Sequence, residues 1–333
     1  MNRLGIIGTN WITDQFIEAA LETKEYDLVS VYSRTVGKAR AFGEKYGREL
    51  SYMDDLQEFF KQENLDVVYI ASPNSLHFEQ AKQTILHGKN VIVEKPAFST
   101  PEEMDEIIQL ANKQEVFFFE AARNIHEKSF QAIQEALPTP DKIQGASLFF
   151  AKYSSRYDEV LAGGEPNIFS LKFSGGALMD LGVYTIYVAL GWFGLPKSAT
   201  YTATKLPTGV DGMGTGILHY DEFDVTIQVG KMIDNYAPSQ IFIDGGTLLI
   251  DQISAINEVT FVARNKEAKR FEIEAKKNPM VDEVLAFAEV MNHPTDEELG
   301  EAYEEWVELA RNVNKVLYSM RQSAGIHFPA DKK

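Results

Sequence analysis

No cysteine occurs among the 333 residues. Disulfides, thiolate zinc sites, thiolate-held iron–sulfur clusters and cysteine nucleophiles are thereby excluded. Histidine is scarce as well. His77, His87, His126, His219, His293 and His327 are scattered without the spacing of metal ligands, so no metal site is expected. Positive charge is in short supply: 32 Lys and Arg stand against 49 Asp and Glu, a formal charge of −17. Such a chain repels phosphate backbones unless it carries a local basic patch, and nucleic acid is not an expected partner. No apolar run is expected to span a membrane. The first, Leu4 to Gly8, is far shorter than the roughly 20 residues of a membrane span, and too short for the core of a secretory signal. The expectation is a soluble cytoplasmic protein with no membrane partner.

What the chain does have is a core. Hydrophobic residues make up 44% of it, and at about 150 residues per domain the length suggests two domains. The first part alternates strand-like and helix-like stretches. Arg3–Gly8, Tyr26–Ser33, Leu65–Ala71, Asn90–Glu94 and Val116–Glu120 read as strands, with helices at 14–22, 36–46, 54–61, 76–86 and 101–114. Ser99 or Thr100 suits the cap of the last helix, with Pro101 at its first position. Apolar strands alternating with helices imply a parallel sheet covered on both faces, and these five strands fit a doubly wound, Rossmann-type sheet of six. After about residue 122 the pattern changes. Strand-like runs follow one another from Ile143 to Ala263, with Asp244-Gly245-Gly246 as a hairpin signal. A helix near Gly176–Gly191 is inserted among them, and helices at 281–291 and 297–320 close the chain. The fold class expected is α/β: a Rossmann-type domain over 1–122, then an α+β domain over 123–333 with a large, mostly antiparallel open sheet.

Two groups of residues carry chemistry. The first joins strand one to helix one: Gly8, Thr9, Asn10, Trp11, Ile12 and Thr13. A G-x-G-x-x-G loop there uses glycine for a tight turn and for close approach to pyrophosphate. Gly8 holds the first glycine position, but Asn10 and Thr13 replace the other two. Asn10 tolerates a left-handed backbone, so the turn remains possible, and the helix N-terminus still offers N–H groups to phosphate. At the end of strand two, where an acidic residue would bind the ribose hydroxyl of NAD, stand Ser33 and Arg34, with Lys38 one turn on; this favours a 2′-phosphate, hence NADP(H) over NAD(H). The second group is Lys95, after the strand Asn90–Glu94, together with Asp180 and Tyr184, four residues apart and so expected on one helix face. A lysine ammonium near a phenol favours the charged phenolate, which suits a proton donor or acceptor.

Taken jointly, these residues resemble the glucose–fructose oxidoreductase, inositol dehydrogenase and rhizopine-catabolism (Gfo/Idh/MocA) family. The resemblance rests on the strand-one loop, Ala71-Ser72-Pro73-Asn74 with His77, Glu94-Lys95-Pro96, Glu120-Ala121 and the run Gly175-Gly176-Ala177-Leu178-Met179-Asp180-Leu181-Gly182. It implies a nicotinamide enzyme moving hydride to or from a hydroxyl of a sugar, polyol or related molecule, and an open sheet used for homodimers or tetramers. By position, Lys95 matches the family's active-site lysine, Pro96 a proline that follows a cis bond, and Asp180 the helix aspartate. Tyr184 stands where glucose–fructose oxidoreductase-like and dimeric dihydrodiol dehydrogenase-like members carry tyrosine. Ser72, Pro73, Asn74, His77 and Glu94 fall in the cofactor-facing segments, and Arg123 and His126 are candidates for substrate contact. Three alternatives stay open: a cofactor-binding regulator without catalysis, a member cleaving glycosides through transient oxidation, and a biliverdin reductase-like member. For oligomerisation, Tyr220, Phe223, Val225, Ile227 and Val229 read either as a docking face or as the second domain's own core.

Overall fold

The computed structural model describes residues 1–274 and 276–332. The chain divides into two compact units, Met1–Ala121 with Met280–Glu308, and Ala122–Pro279 with Leu309–Lys333.

In the first unit the elements run β1 (Asn2–Ile7), α1 (Trp11–Thr23), β2 (Tyr26–Tyr32), α2 (Val36–Gly43), β3 (Ser51–Met53), α3 (Leu56–Phe60), β4 (Val67–Ile70), α4 (His77–Leu86), β5 (Asn90–Glu94), α5 (Pro101–Gln114) and β6 (Phe118–Ala121). All six strands are parallel, in the order β3-β2-β1-β4-β5-β6. The order reverses between β1 and β4, which places a crevice at their carboxyl ends. β4 is buried throughout, as a central strand covered on both faces must be. The start of α5 follows from its sequence. Thr100 accepts from the Glu103 N–H at 3.2 Å, Ser99 N–H donates to the Glu103 carboxylate at 3.0 Å, and Pro101 occupies the first turn.

Two features of this unit depart from the sequence expectation. β3, which completes the six strands, lies in a stretch with no apolar run. The segment Met280–Glu308 belongs here and not with the residues after 122. Its contacts explain why: Phe287 stacks on Phe119 of β6 at 4.5 Å, Tyr26 Oη donates to the Val284 carbonyl, and the Phe118 N–H donates to Tyr303 Oη.

In the second unit, α6 (Lys128–Ala136), β7 (Ile143–Ala151), α7 (Arg156–Leu161) and α8 (Val183–Phe193) precede β8 (Ser198–Lys205), β9 (Asp211–His219), β10 (Asp224–Gly230), β11 (Ser239–Ile243), β12 (Gly246–Ile250), β13 (Val259–Ala263) and β14 (Ala268–Arg270). The eight strands form one sheet in the order β14-β13-β12-β11-β7-β10-β9-β8, antiparallel except for β7 against β10. Asp244 and Gly245 make the two-residue β11–β12 turn, with Gly245 at φ +93°. α8 is apolar and buried nearly all round, as a core helix is. The apolar stretch Leu171–Phe193 is long enough to cross a membrane by length and composition, yet 89% of its window is buried inside the fold. Val225, Ile227 and Val229 are at most 1% exposed, so the core alternative holds for them. On the opposite side of the sheet, Phe149, Phe242 and Leu249 are only half-buried, beside exposed Thr202, Thr215 and Thr226.

Candidate active site

In the first unit, β1 runs into Gly8 at φ +112°. A Cβ there would lie 2.5 Å from the Ala71 carbonyl oxygen, so the crossing of the β1 and β4 ends requires glycine. Asn10 does not use the left-handed backbone that it would tolerate. It is extended (φ −116°, ψ 179°) and caps α1. Its Oδ1 accepts from the N–H groups of Ile12 and Thr13 at 3.0 and 3.2 Å, and its Nδ2 donates to the Ala71 carbonyl at 2.9 Å. The side chain thus does locally what a glycine loop leaves to phosphate. Thr9 and Ile12 are half-buried, Thr13 is buried, and Trp11 is 71% exposed.

At the end of β2, the Ser33 N–H donates to the Met53 carbonyl, and Thr35 caps α2 by accepting from the Lys38 N–H. Arg34 and Lys38 are exposed. Burial raises the Tyr32 phenol, with Asp54 and Asp55 adding to the rise and Arg34 opposing it, so the guanidinium acts on the same small region as those carboxylates.

The β4 and β5 ends are held together by side chains the resemblance had placed against cofactor. His77 is 1% exposed. Its Nε2 lies 2.7 Å from the Ser72 carbonyl, and its Nδ1 lies 3.3 and 3.2 Å from those of Pro96 and Ala97. Burial pulls its pKa down to about 4 despite those carbonyls, so the ring is neutral at physiological pH. The Glu94 carboxylate is buried and accepts from Tyr69 Oη at 2.6 Å. The side chains of His77 and Glu94 therefore face inward and brace the turns that present Ser72, Pro73, Asn74 and Lys95. Ser72 Oγ donates to Gln80, Pro73 and Asn74 open a 3₁₀ turn, and the Lys95–Pro96 bond is cis.

In the second unit, the Gly-Gly run has a specific cause. A Cβ on Gly175 would meet the Ile168 carbonyl at 2.4 Å, and one on Gly176 (φ +120°) would meet the Asp211 carboxylate at 2.1 Å. Asp211, from the start of β9, accepts from the Leu178 N–H and from Tyr201 Oη, both at 2.7 Å. Burial raises the Asp211 carboxyl, while these hydrogen bonds oppose the rise. Asp211 thereby fixes the first turn of the segment carrying Asp180. That turn, Leu178–Gly182, is a π-turn leading into α8, so the four-residue spacing of Asp180 and Tyr184 does not follow uniform α-helical geometry. Such turns recur at functional sites.

Asp180 is ion-paired to Lys231, a buried residue just after β10. Tyr184 is 7% exposed; the Phe150 ring packs edge-on against it at 5.5 Å, and the Arg123 guanidinium lies over its ring at 5.8 Å. Arg123 also donates to the Ser254 carbonyl. His126 is different: it is buried, and burial lowers its pKa to about 3, so it is a neutral interior residue. Of the two candidates for substrate contact, the structure brings Arg123 to Tyr184. Lys231 and Asp211 escaped sequence reasoning because neither belongs to a local motif. Among the described residues no cluster of His, Asp and Glu fit to hold a metal ion occurs.

Comparison with known proteins agrees with this picture. Residues 2–122 match the family model "Oxidoreductase family, NAD-binding Rossmann fold", and residues 148–250 match the "GFO/IDH/MocA C-terminal domain". The uncharacterized oxidoreductase YgjR of Escherichia coli K12 is 37% identical over 331 residues, 99% of each chain. The scyllo-inositol 2-dehydrogenase (NADP(+)) IolU of Bacillus subtilis 168 is 36% identical over 332 residues, 100% of each. The solved structure of KijD10, a 3-ketoreductase from Actinomadura kijaniata in complex with NADP and TDP-benzene, covers 97% of each chain with a TM-score of 0.84; at 18% identity it speaks for the fold. With a doubly wound sheet, a helix-capping loop at Gly8 and two full-length relatives, the chain belongs to the Gfo/Idh/MocA family of NAD(P)-dependent oxidoreductases.

Proposed function

We propose that this oxidoreductase uses NADP(H) in preference to NAD(H) and acts on a hydroxyl or carbonyl carbon of a polyol, sugar or related small molecule in the cytoplasm. The observation that carries the cofactor choice is Arg34. It stands exposed beside Ser33 at the end of β2, where a ribose-binding acid would otherwise stand. Gly8 to Ile12 would hold the pyrophosphate, Ser33, Arg34 and Lys38 the 2′-phosphate, and the Ser72–Asn74 turn the nicotinamide side. The fit rests on the exposed start of α1 beside the Gly8 turn, where the helix dipole favours an anion. When bound, the cofactor supplies or accepts the hydride. The chain's own residues move the proton and hold the oxygen: Tyr184 exchanges the hydroxyl proton, Lys95 holds the oxygen, and Asp180 accepts a hydrogen bond from a hydroxyl of the substrate. IolU, by its name an NADP-dependent polyol dehydrogenase, supports the substrate class.

The test is a fluorescence titration with NADPH and NADH, followed by turnover on polyols, sugars and dicarbonyls. Arg34→Asp is expected to weaken NADPH binding about 10- to 100-fold and to leave NADH binding nearly unchanged, the scale of a lost charge-assisted hydrogen bond. Equal losses for both would reject the 2′-phosphate role.

The reading includes a homo-oligomer built through the open sheet. Half-buried Phe149, Phe242 and Leu249 share one sheet face, set by the pairings Ser147–Gln240 and Gln240–Leu249, and apolar area of that kind favours a second copy. Sedimentation is expected to give a multiple of the 37.5 kDa chain mass; a mass of one chain would remove the oligomer from the reading.

A further inference from the structure

We infer that Lys231 is a positioning residue that fixes the Asp180 carboxylate for a substrate hydroxyl, an inference that rests on the substrate class proposed above. Lys231 follows β10 directly, and its backbone is held on both sides. Its N–H donates to the Gly212 carbonyl at 2.8 Å, and its carbonyl accepts from the Ser154 N–H at 3.0 Å. The side chain is 8% exposed. It runs past the face of Phe169, with Nζ 5.7 Å from the ring centroid, and ends on Oδ2 of Asp180.

Removing an ammonium from water costs several kcal/mol, and replacing a whole buried ion pair by well-packed apolar side chains is often neutral for stability. A buried lysine retained there is therefore poorly explained by stability. Orientation explains it better. Phe169, 0% exposed, and the two backbone hydrogen bonds leave the lysine stem little freedom, so the ammonium is a fixed point to which the carboxylate is tied. Asp180 is the more accessible partner, with 23% of its side chain exposed against 8% for Lys231. A ligand thus reaches the pair through the carboxylate, which as an ion accepts a strong hydrogen bond from a hydroxyl. The π-turn that carries Asp180 is anchored independently by Asp211, so the aspartate is fixed at its backbone by one residue and at its carboxylate by another.

The test uses the full chain with NADP+ and a series of cyclic polyols. Lys231→Met is expected to lower kcat/KM about 10- to 100-fold, chiefly by raising KM, with dinucleotide affinity unchanged. Lys231→Arg is expected to recover most of the loss. The double variant with Asp180→Asn is expected to be no worse than Asp180→Asn alone, because the two residues act as a unit. A double variant whose loss is the product of the single losses would overturn the inference. So would a Lys231→Met enzyme with unaltered kcat/KM. A second measurement needs no turnover: the Lys231 ammonium nitrogen signal in NMR is expected to be visible in the unaltered chain and lost or displaced in Asp180→Asn, and its indifference to that change would equally overturn it. If the unaltered chain binds dinucleotide but turns over no polyol, sugar or related molecule, the functional reading fails separately.

Discussion

Tyr184→Phe is expected to reduce turnover by about 100- to 10,000-fold while leaving dinucleotide binding intact, the usual worth of a positioned acid–base group. The reason is local. The phenol lies at the start of α8, enclosed on one side by Phe150 and crossed by the Arg123 guanidinium, with only 7% of the residue exposed. A phenylalanine keeps that packing, so the fold is preserved and only the proton-carrying atom is lost. Lys95→Met is expected to cause a loss of similar size in kcat. The check is steady-state turnover on a substrate found in the screen, with binding measured in parallel. Near-normal turnover in both variants would show that proton transfer runs through other residues.

The second large effect concerns stability. Arg321→Leu is expected to destabilise the second unit by about 3–5 kcal/mol, the range for leaving a buried charge without its partner. Arg321 is 1% exposed; it makes two 2.7 Å contacts to Asp331 and one of 2.9 Å to the Ile326 carbonyl. It is also sandwiched, with its guanidinium 4.1 Å from the Phe328 ring centroid and 4.9 Å from that of Tyr318. Burial alone would raise the Asp331 carboxyl, but hydrogen bonds from Arg321, the Phe328 N–H and Gln322 outweigh it and hold the group below its ordinary value. The sign follows: a depressed folded pKa stabilises above the unfolded value of about 4, and that stabilisation is lost as pH falls through the folded value. Urea denaturation of Arg321→Leu near neutral pH should show the full loss. In the unaltered chain, this contribution should fade only below about pH 4. A midpoint in urea unchanged by Arg321→Leu would show that the clasp contributes nothing net. Because Ile326 and Phe328 pack with Met179, the residue before Asp180, the clasp also supports the π-turn.

Much of this was legible in the sequence because the signals are local. Thr100-Pro101 and Asp244-Gly245-Gly246 each carry their physics within a few residues, whereas the run from Gly175 to Gly182 shows in the sequence but takes its shape from distant Asp211. What escaped is non-local or too short to carry a pattern. Ser51–Met53 and Ala268–Arg270 are three-residue edge strands, the latter wholly exposed and flanked by charge; no periodicity can emerge from three residues. Met280–Glu308 reads as an ordinary helical stretch, and it is contacts such as Phe287 on Phe119 and Tyr26 Oη to the Val284 carbonyl that reveal where it packs. Lys231 lies 51 residues from Asp180, a pairing no spacing rule contains. For His77 and Glu94 the segment was legible but the side-chain direction was not, since burial depends on the strands beneath them.

The carboxylate of Asp211 has one further consequence. It is a strand residue, paired with Lys205 in the β8–β9 ladder, and Tyr201 of the same ladder shares it. A slip of β9 by one residue would bring Val210 or Gly212 beneath the π-turn, and neither has a side chain able to accept the Leu178 N–H. Gly176, whose lack of a Cβ leaves room for the Asp211 carboxylate, would then face the wrong neighbour. The alignment of two outer strands is therefore proofread by the segment that carries Asp180: an offset sheet would be unable to seat it at all.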